Sequence, residues 1–214
     1  MAIRQLSHDE LIYANFVVNS GWQMKWEFAA YFDQSSGSLI ELITKAKDDQ
    51  AEPSLDVILK ALKGDQIVVH HNHLSQESLS KADWNGANRL FNEIFAHCTD
   101  GTKYWGKVIS FENVAKIILE YVYYSTEADN ALVKVLQNHS LDHLSTSGLF
   151  TKEIINRAMK IKQFVEYEYV WGTQNLNLPY NVSIPYQYTD SIGHYGKAID
   201  SYIDNAAVIL ATKM

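Results

Sequence analysis

Apolar positions along the first half of the chain switch repeatedly between helical and strand spacing. Ser7-x-x-Glu10 is a capping box, and Leu11, Ile12, Phe16 and Val17 follow at helical intervals, which predicts a helix ended by Gly21. Residues 24–33 read as a strand, the Ser-Ser-Gly at 35–37 as a turn, and Leu39, Ile40, Leu42 and Ile43 as a second strand of a β-hairpin. A short helix from Ser54 carries Leu55, Ile58, Leu59 and Leu62 on one face and stops at Gly64. A strand over 66–70 follows directly. From Ser80 the spacing of Ala87, Leu90, Phe91, Ile94 and Phe95 predicts another helix, Thr99-Asp100-Gly101 a turn, and 103–111 a strand. The remainder reads as helices over 112–124, about 126–138 and from Thr151 to near Trp171, then an extended loop over 172–194 and a last helix over about 196–212. The pattern predicts an α+β fold with an α/β-like core, a mixed sheet with flanking helices over residues 1–111. Residues 112–214 form a mostly helical extension packed on that core.

Composition narrows the function classes. Apolar residues make up 47% and charged residues 20%, a globular rather than a disordered balance. The net charge of −7, with no cationic run longer than a pair, argues against a nucleic-acid backbone as the main partner. No apolar run is long enough to span a membrane, and the opening MAIRQLSHDEL lacks the apolar stretch of a signal peptide. The single cysteine, Cys98, excludes an intramolecular disulfide and fits a reducing compartment, so a cytoplasmic location is expected.

The densest chemistry lies in Gln66–Trp84, QIVVHHNHLSQESLSKADW. In a strand, successive side chains face opposite sides, so His71 and His73 share a face while His70 and Asn72 point away. Asp83 falls in the first turn of the next helix, one turn after Ser80. Two imidazoles and a carboxylate are three ligands for one divalent metal, and catalytic zinc sites use three protein ligands with a fourth position left for water.

The pattern His71-x-His73 followed by Ser80-x-x-Asp83 resembles the signature of the JAMM (MPN+) metalloproteases and their RadC-like relatives. The order of elements over about residues 24–111 is similar too. The resemblance implies Zn2+ bound by His71, His73 and Asp83, Glu27 as general base, and Ser80 stabilising the oxyanion of a tetrahedral intermediate. It implies a peptidase or isopeptidase acting on a peptide or protein substrate. Two departures stand out: Leu74 replaces a proline, and the interval from His73 to Asp83 is one residue shorter than in the family.

Other readings stay open. A catalytically inactive binding or scaffold protein on the same fold would account for both departures. A metal-dependent nuclease is superficially similar through its His-Asn-His run, but the acidic charge argues against it. Glu77 is a second carboxylate in the loop that could replace a ligand. His139 and His143 stand four apart but lack the glutamate of an HExxH motif. Cys98 reads as a buried thiol. The Tyr-rich stretch containing Tyr180, Tyr186 and Tyr188 reads either as core or as the wall of a substrate groove.

Overall fold

The computed structural model describes residues 3–49, 51–139, 148–172 and 192–214. The capping box at Ser7 and Glu10 opens helix α1 (His8–Met24) as the sequence predicts. The helix does not end at Gly21: it runs on to Met24 and closes at Lys25, which takes the left-handed conformation (φ 63°) and donates its N–H to the Gly21 carbonyl. The first strand is correspondingly shorter than expected. β1 (Phe28–Asp33) and β2 (Leu39–Thr44) form the hairpin, with Glu27 in the link before it.

Helix α2 (Leu55–Leu62) leads to β3 (Ile67–Asn72), and α3 (Lys81–Ala87) follows the histidine loop. Two sequence expectations are corrected here. The predicted helix after Ser80 ends at Ala87, and Ile94 and Phe95 belong to a strand, β4 (Glu93–His97). A strand buried on both faces has no polar alternation, so its apolar residues also fit helical spacing. Likewise the helix from Thr151 ends at Ile161 as α6 (Thr151–Ile161), and Val165–Val170 is a strand, β6. Here the buried Val165 and Tyr167 alternate with the half-buried Glu166 and Glu168. The intervening β5 (Lys103–Val108), α4 (Phe111–Leu119) and α5 (Tyr121–Asn138) lie close to expectation, with the break between the two helices at Glu120 rather than near residue 125. The C-terminal helix expected over about 196–212 is instead two helices, α7 (Ile192–Ala198), which starts inside the segment expected as loop, and α8 (Asp200–Ala211).

The result is an α+β fold built on one six-stranded mixed sheet of order β2-β1-β3-β4-β5-β6. Among the described residues only β3 and β4 pair in parallel; α3 and the loop before it make the crossover between them. β6, from the C-terminal half, completes the sheet against β5. Alternate residues separate two apolar layers. Phe28, Ala30, Phe32, Val68, Phe95 and Trp105 face α1 and pack on Val17. Ala29, Tyr31, Val69, Ala96, Tyr104 and Tyr167 face the other layer, where α5, α6 and α8 pack together. Trp84 anchors α3 in that second layer, fully buried with its indole N–H donated to Asn156 Oδ1 at 2.7 Å. Among the described residues no helix is long and apolar enough to cross a membrane.

Candidate metal centre

β3 ends where its parallel neighbour ends. The ladder pairs Asn72 with His97, and the His73 N–H continues it by donating to the His97 carbonyl at 3.1 Å. His71 and His73 therefore stay on extended backbone and project to one face, their rings 4.6 Å apart and edge-on. The chain then turns sharply: Gln76, in the left-handed region at φ 60°, donates its N–H to the His73 carbonyl at 3.2 Å. This tight turn starts the chain back toward α3, with Leu74 in the turn lining the cavity. Ser78 and Leu79 are fixed by Asn156, which donates to the Ser78 hydroxyl at 2.8 Å and the Leu79 carbonyl at 2.9 Å. Ser80 then caps α3, and the reciprocal capping box brings Asp83 back over the histidines.

The three side chains converge. His71 Nε2 lies 2.8 Å from His73 Nε2 and 3.1 Å from Asp83 Oδ1, and His73 Nε2 lies 3.4 Å from Asp83 Oδ2. Ligands at the usual zinc distances in a tetrahedral site stand about 3.3 Å apart, so this triangle has the size that one ion would occupy. Among the described residues this group could hold a metal ion. The tautomer is suited to it as well. His73 Nδ1–H donates to the Glu77 carbonyl at 2.7 Å, which leaves Nε2 as an acceptor aimed at the centre. His71 Nδ1 is buried beside the Phe95 backbone without an aligned hydrogen-bond partner.

Charge follows the same logic. Burial works against the Asp83 carboxylate, but His71 and His73 override it and hold Asp83 well below the usual carboxylate range. Burial also disfavours a charged His71, and Asp83 overrides that in turn, so His71 titrates above its ordinary value of 6.5. The group thus attracts positive charge.

A cavity of about 610 Å3 opens over His73 and Asp83, walled among others by Glu27, Ser80 and Glu77. Burial raises the Glu27 carboxyl above its ordinary value, opposed by His71 and His73 and reinforced by Asp83. Ser80 accepts the Asp83 N–H through its hydroxyl oxygen at 3.2 Å, and its own N–H is donated to Asp83 Oδ2 at 2.6 Å. The expected site residues Glu27, His71, His73, Ser80 and Asp83 are therefore gathered in one place.

Glu77 is not in the triangle. Its carboxylate pairs with Lys152 of α6 at 2.6 Å, so α6 steadies the residue whose carbonyl orients His73. Sequence spacing alone does not reveal Lys152, Asn156 or the orienting carbonyl, because each acts across the fold. His70 turns to the opposite face, as its place in the strand predicts. There Nδ1 meets His97 Nε2 at 3.0 Å and Nε2 meets Glu10 Oε1 at 3.3 Å. Cys98 is buried, as the sequence reading expects, and burial pushes its thiol well above the ordinary value, which disfavours the thiolate. His139 ends α5 against Tyr202, while His143, Tyr180, Tyr186 and Tyr188 lie outside the described residues. Comparison with protein-family models, curated proteins and solved structures finds no match.

Proposed function

We propose that the protein is a zinc-dependent hydrolase of amide bonds, a peptidase or isopeptidase that acts on a peptide or protein substrate, as its resemblance to the JAMM group implies. The observation that carries this reading is the His71–His73–Asp83 triangle, with the His73 tautomer set by Glu77, at the floor of a cavity that Glu27 also enters. Zinc held there would polarise a substrate carbonyl and make water a nucleophile near neutral pH.

The chain's own groups supply the rest. Glu27 takes the proton from the attacking water and delivers it to the leaving amine nitrogen, a role for which a carboxyl raised by burial is suited. The Ser80 hydroxyl oxygen is occupied as an acceptor, so its O–H proton is available to donate to the carbonyl oxygen as charge develops there. Asp83 serves both as ligand and as the capping residue that fixes the start of α3.

The test is cleavage of peptide and isopeptide-linked substrates by the zinc-loaded protein, with duplex DNA as a control. Amide cleavage that stops on chelation supports the reading. Cleavage of DNA alone would turn it to the nuclease class, and zinc binding without any cleavage to an inactive binding protein.

A further inference from the structure

β1 and β3 pair as far as Ala29 and His71, the first residue of the candidate metal centre. The Asn72 carboxamide, almost fully buried, continues the ladder in place of a backbone peptide group. Its Oδ1 accepts the Phe28 N–H at 2.7 Å and its Nδ2 donates to the Trp26 carbonyl at 3.2 Å. Glu27 is the residue between them. The Glu27 backbone is also held by two bonds to the end of β2 and the segment just after it. Its N–H donates to the Lys47 carbonyl at 2.7 Å, and its carbonyl accepts the Thr44 hydroxyl at 2.7 Å. Asn72 belongs to the face of β3 that carries α1 and is also among the residues that line the cavity. Its carboxamide bonds go to the backbone on either side of Glu27, not to the ligand side chains.

We infer that Asn72 is a positioning residue: its carboxamide clamps the peptide groups flanking Glu27 and so sets where the Glu27 carboxylate stands over His73 and Asp83. This rests on the role proposed above for Glu27. Gly21 is the second part of the device. A Cβ at Gly21 would lie 2.2 Å from Asn72 Nδ2 and 2.6 Å from its Cγ, so only glycine leaves room for the clamp. That space, and not a helix end, explains a glycine within α1. The acceptor matters more than the donor, since the Phe28 N–H is buried and costly to leave unpaired, whereas Trp26 is exposed.

The test uses the full chain with Asn72→Leu, similar in size but unable to hydrogen-bond. Amide exchange reads the Phe28 N–H, and pseudocontact shifts from cobalt(II) loaded in the metal site read the place of Glu27. The expected result is loss of Phe28 protection, displaced Glu27 shifts, unchanged metal stoichiometry, and kcat lower by about 10- to 100-fold, the scale of a misplaced reacting group. In a Glu27→Gln background Asn72→Leu should cost nothing more. Gly21→Ala should reproduce Asn72→Leu although alanine is the better helix former, and Gly21→Ala with Asn72→Ala should be no worse than Asn72→Ala alone. Retained Phe28 protection together with unmoved Glu27 shifts in Asn72→Leu would overturn the inference. Displaced shifts in a protein whose wild type cleaves no amide would instead remove the hydrolase reading and leave the clamp standing.

Discussion

The two faces of β3 put the same residue type to opposite uses. On one face His71 and His73 turn their Nε2 atoms toward each other and toward Asp83, beside an open cavity. On the other, His70 and His97 are stacked with Phe95 and sealed, with His70 bonded on both nitrogens. The sealed network also carries its own cation: Arg4 pairs with Glu10 at 2.5 Å and with Glu93 at 2.6 Å, and its guanidinium lies over Phe95. The lesson is that neither histidine nor burial by itself suits a group to a metal ion. Convergent acceptors without a resident cation could hold one, whereas the network on the other face is already satisfied by arginine.

Four results would break or sharpen that contrast. The largest effect is expected on the sealed face. Glu10→Ala leaves His70 without its carboxylate and Arg4 with Glu93 alone. Glu10 accepts from Arg4, the Ser7 N–H and His70, and bonds to a charged group are worth about 1.5–3 kcal/mol each. Their joint loss should cost about 3–5 kcal/mol, which for a chain of this size lowers Tm by about 6–20 °C. Thermal melts should show that fall while zinc stoichiometry stays unchanged; a variant of normal stability that loses zinc would reverse the assignment of the two faces.

Next is Glu27→Gln. Loss of a general base costs about 100-fold or more in turnover, about 2.7 kcal/mol of transition-state stabilisation. Steady-state kinetics should record it with zinc still bound. Full turnover in this variant excludes Glu27 from the chemistry.

The pH response of the metal-free protein should also divide by face. Burial lowers His70 despite Glu10, and burial lowers His97 well below its ordinary value. The unfolded histidines take up protons near pH 6.5 and the folded ones do not. Stability therefore falls as pH drops below about 6.5, by up to about 1.4 kcal/mol per pH unit for each histidine. His71 is raised, so its contribution is present below 6.5 and is lost as pH rises through its folded value. Melts against pH should peak near 6.5 without metal, and zinc should abolish the decline on the alkaline side. The same alkaline decline with and without zinc would contradict ligation by His71.

The smallest effect is expected from Lys152→Ala. Its pair with Glu77 is partly exposed and worth at most about 1 kcal/mol. Calorimetry should find zinc affinity weaker by less than about tenfold, because the Glu77 carbonyl keeps a bond to His73 without it. Complete loss of zinc would mean that α6 holds the centre far more tightly than the pair suggests.

What the sequence made legible follows from range. The convergence of His71, His73 and Asp83 depends on period-two geometry at a strand end and on a capping box, both local, so their proximity is legible from spacing. The opposite orientation of His70 was legible for the same reason. β4 was hidden because Glu93–His97 is buried on both faces and offers no alternation. The alternation in Val165–Val170 was present but was absorbed by the helical pattern running on from Thr151. Gly21 read as a helix end because a glycine's space requirement shows only when Asn72, distant in sequence, is folded against it. Lys152 and Asn156 were beyond reach because their partners lie more than 70 residues away.

The most direct test of the central claim is a calorimetric zinc titration of the metal-free wild-type protein beside His73→Ala. One zinc per chain in the wild type, with affinity reduced in the variant by more than the roughly 100-fold that loss of an outer partner can bring, is the predicted result. No binding by the wild type, or equal binding by the two proteins, would contradict it.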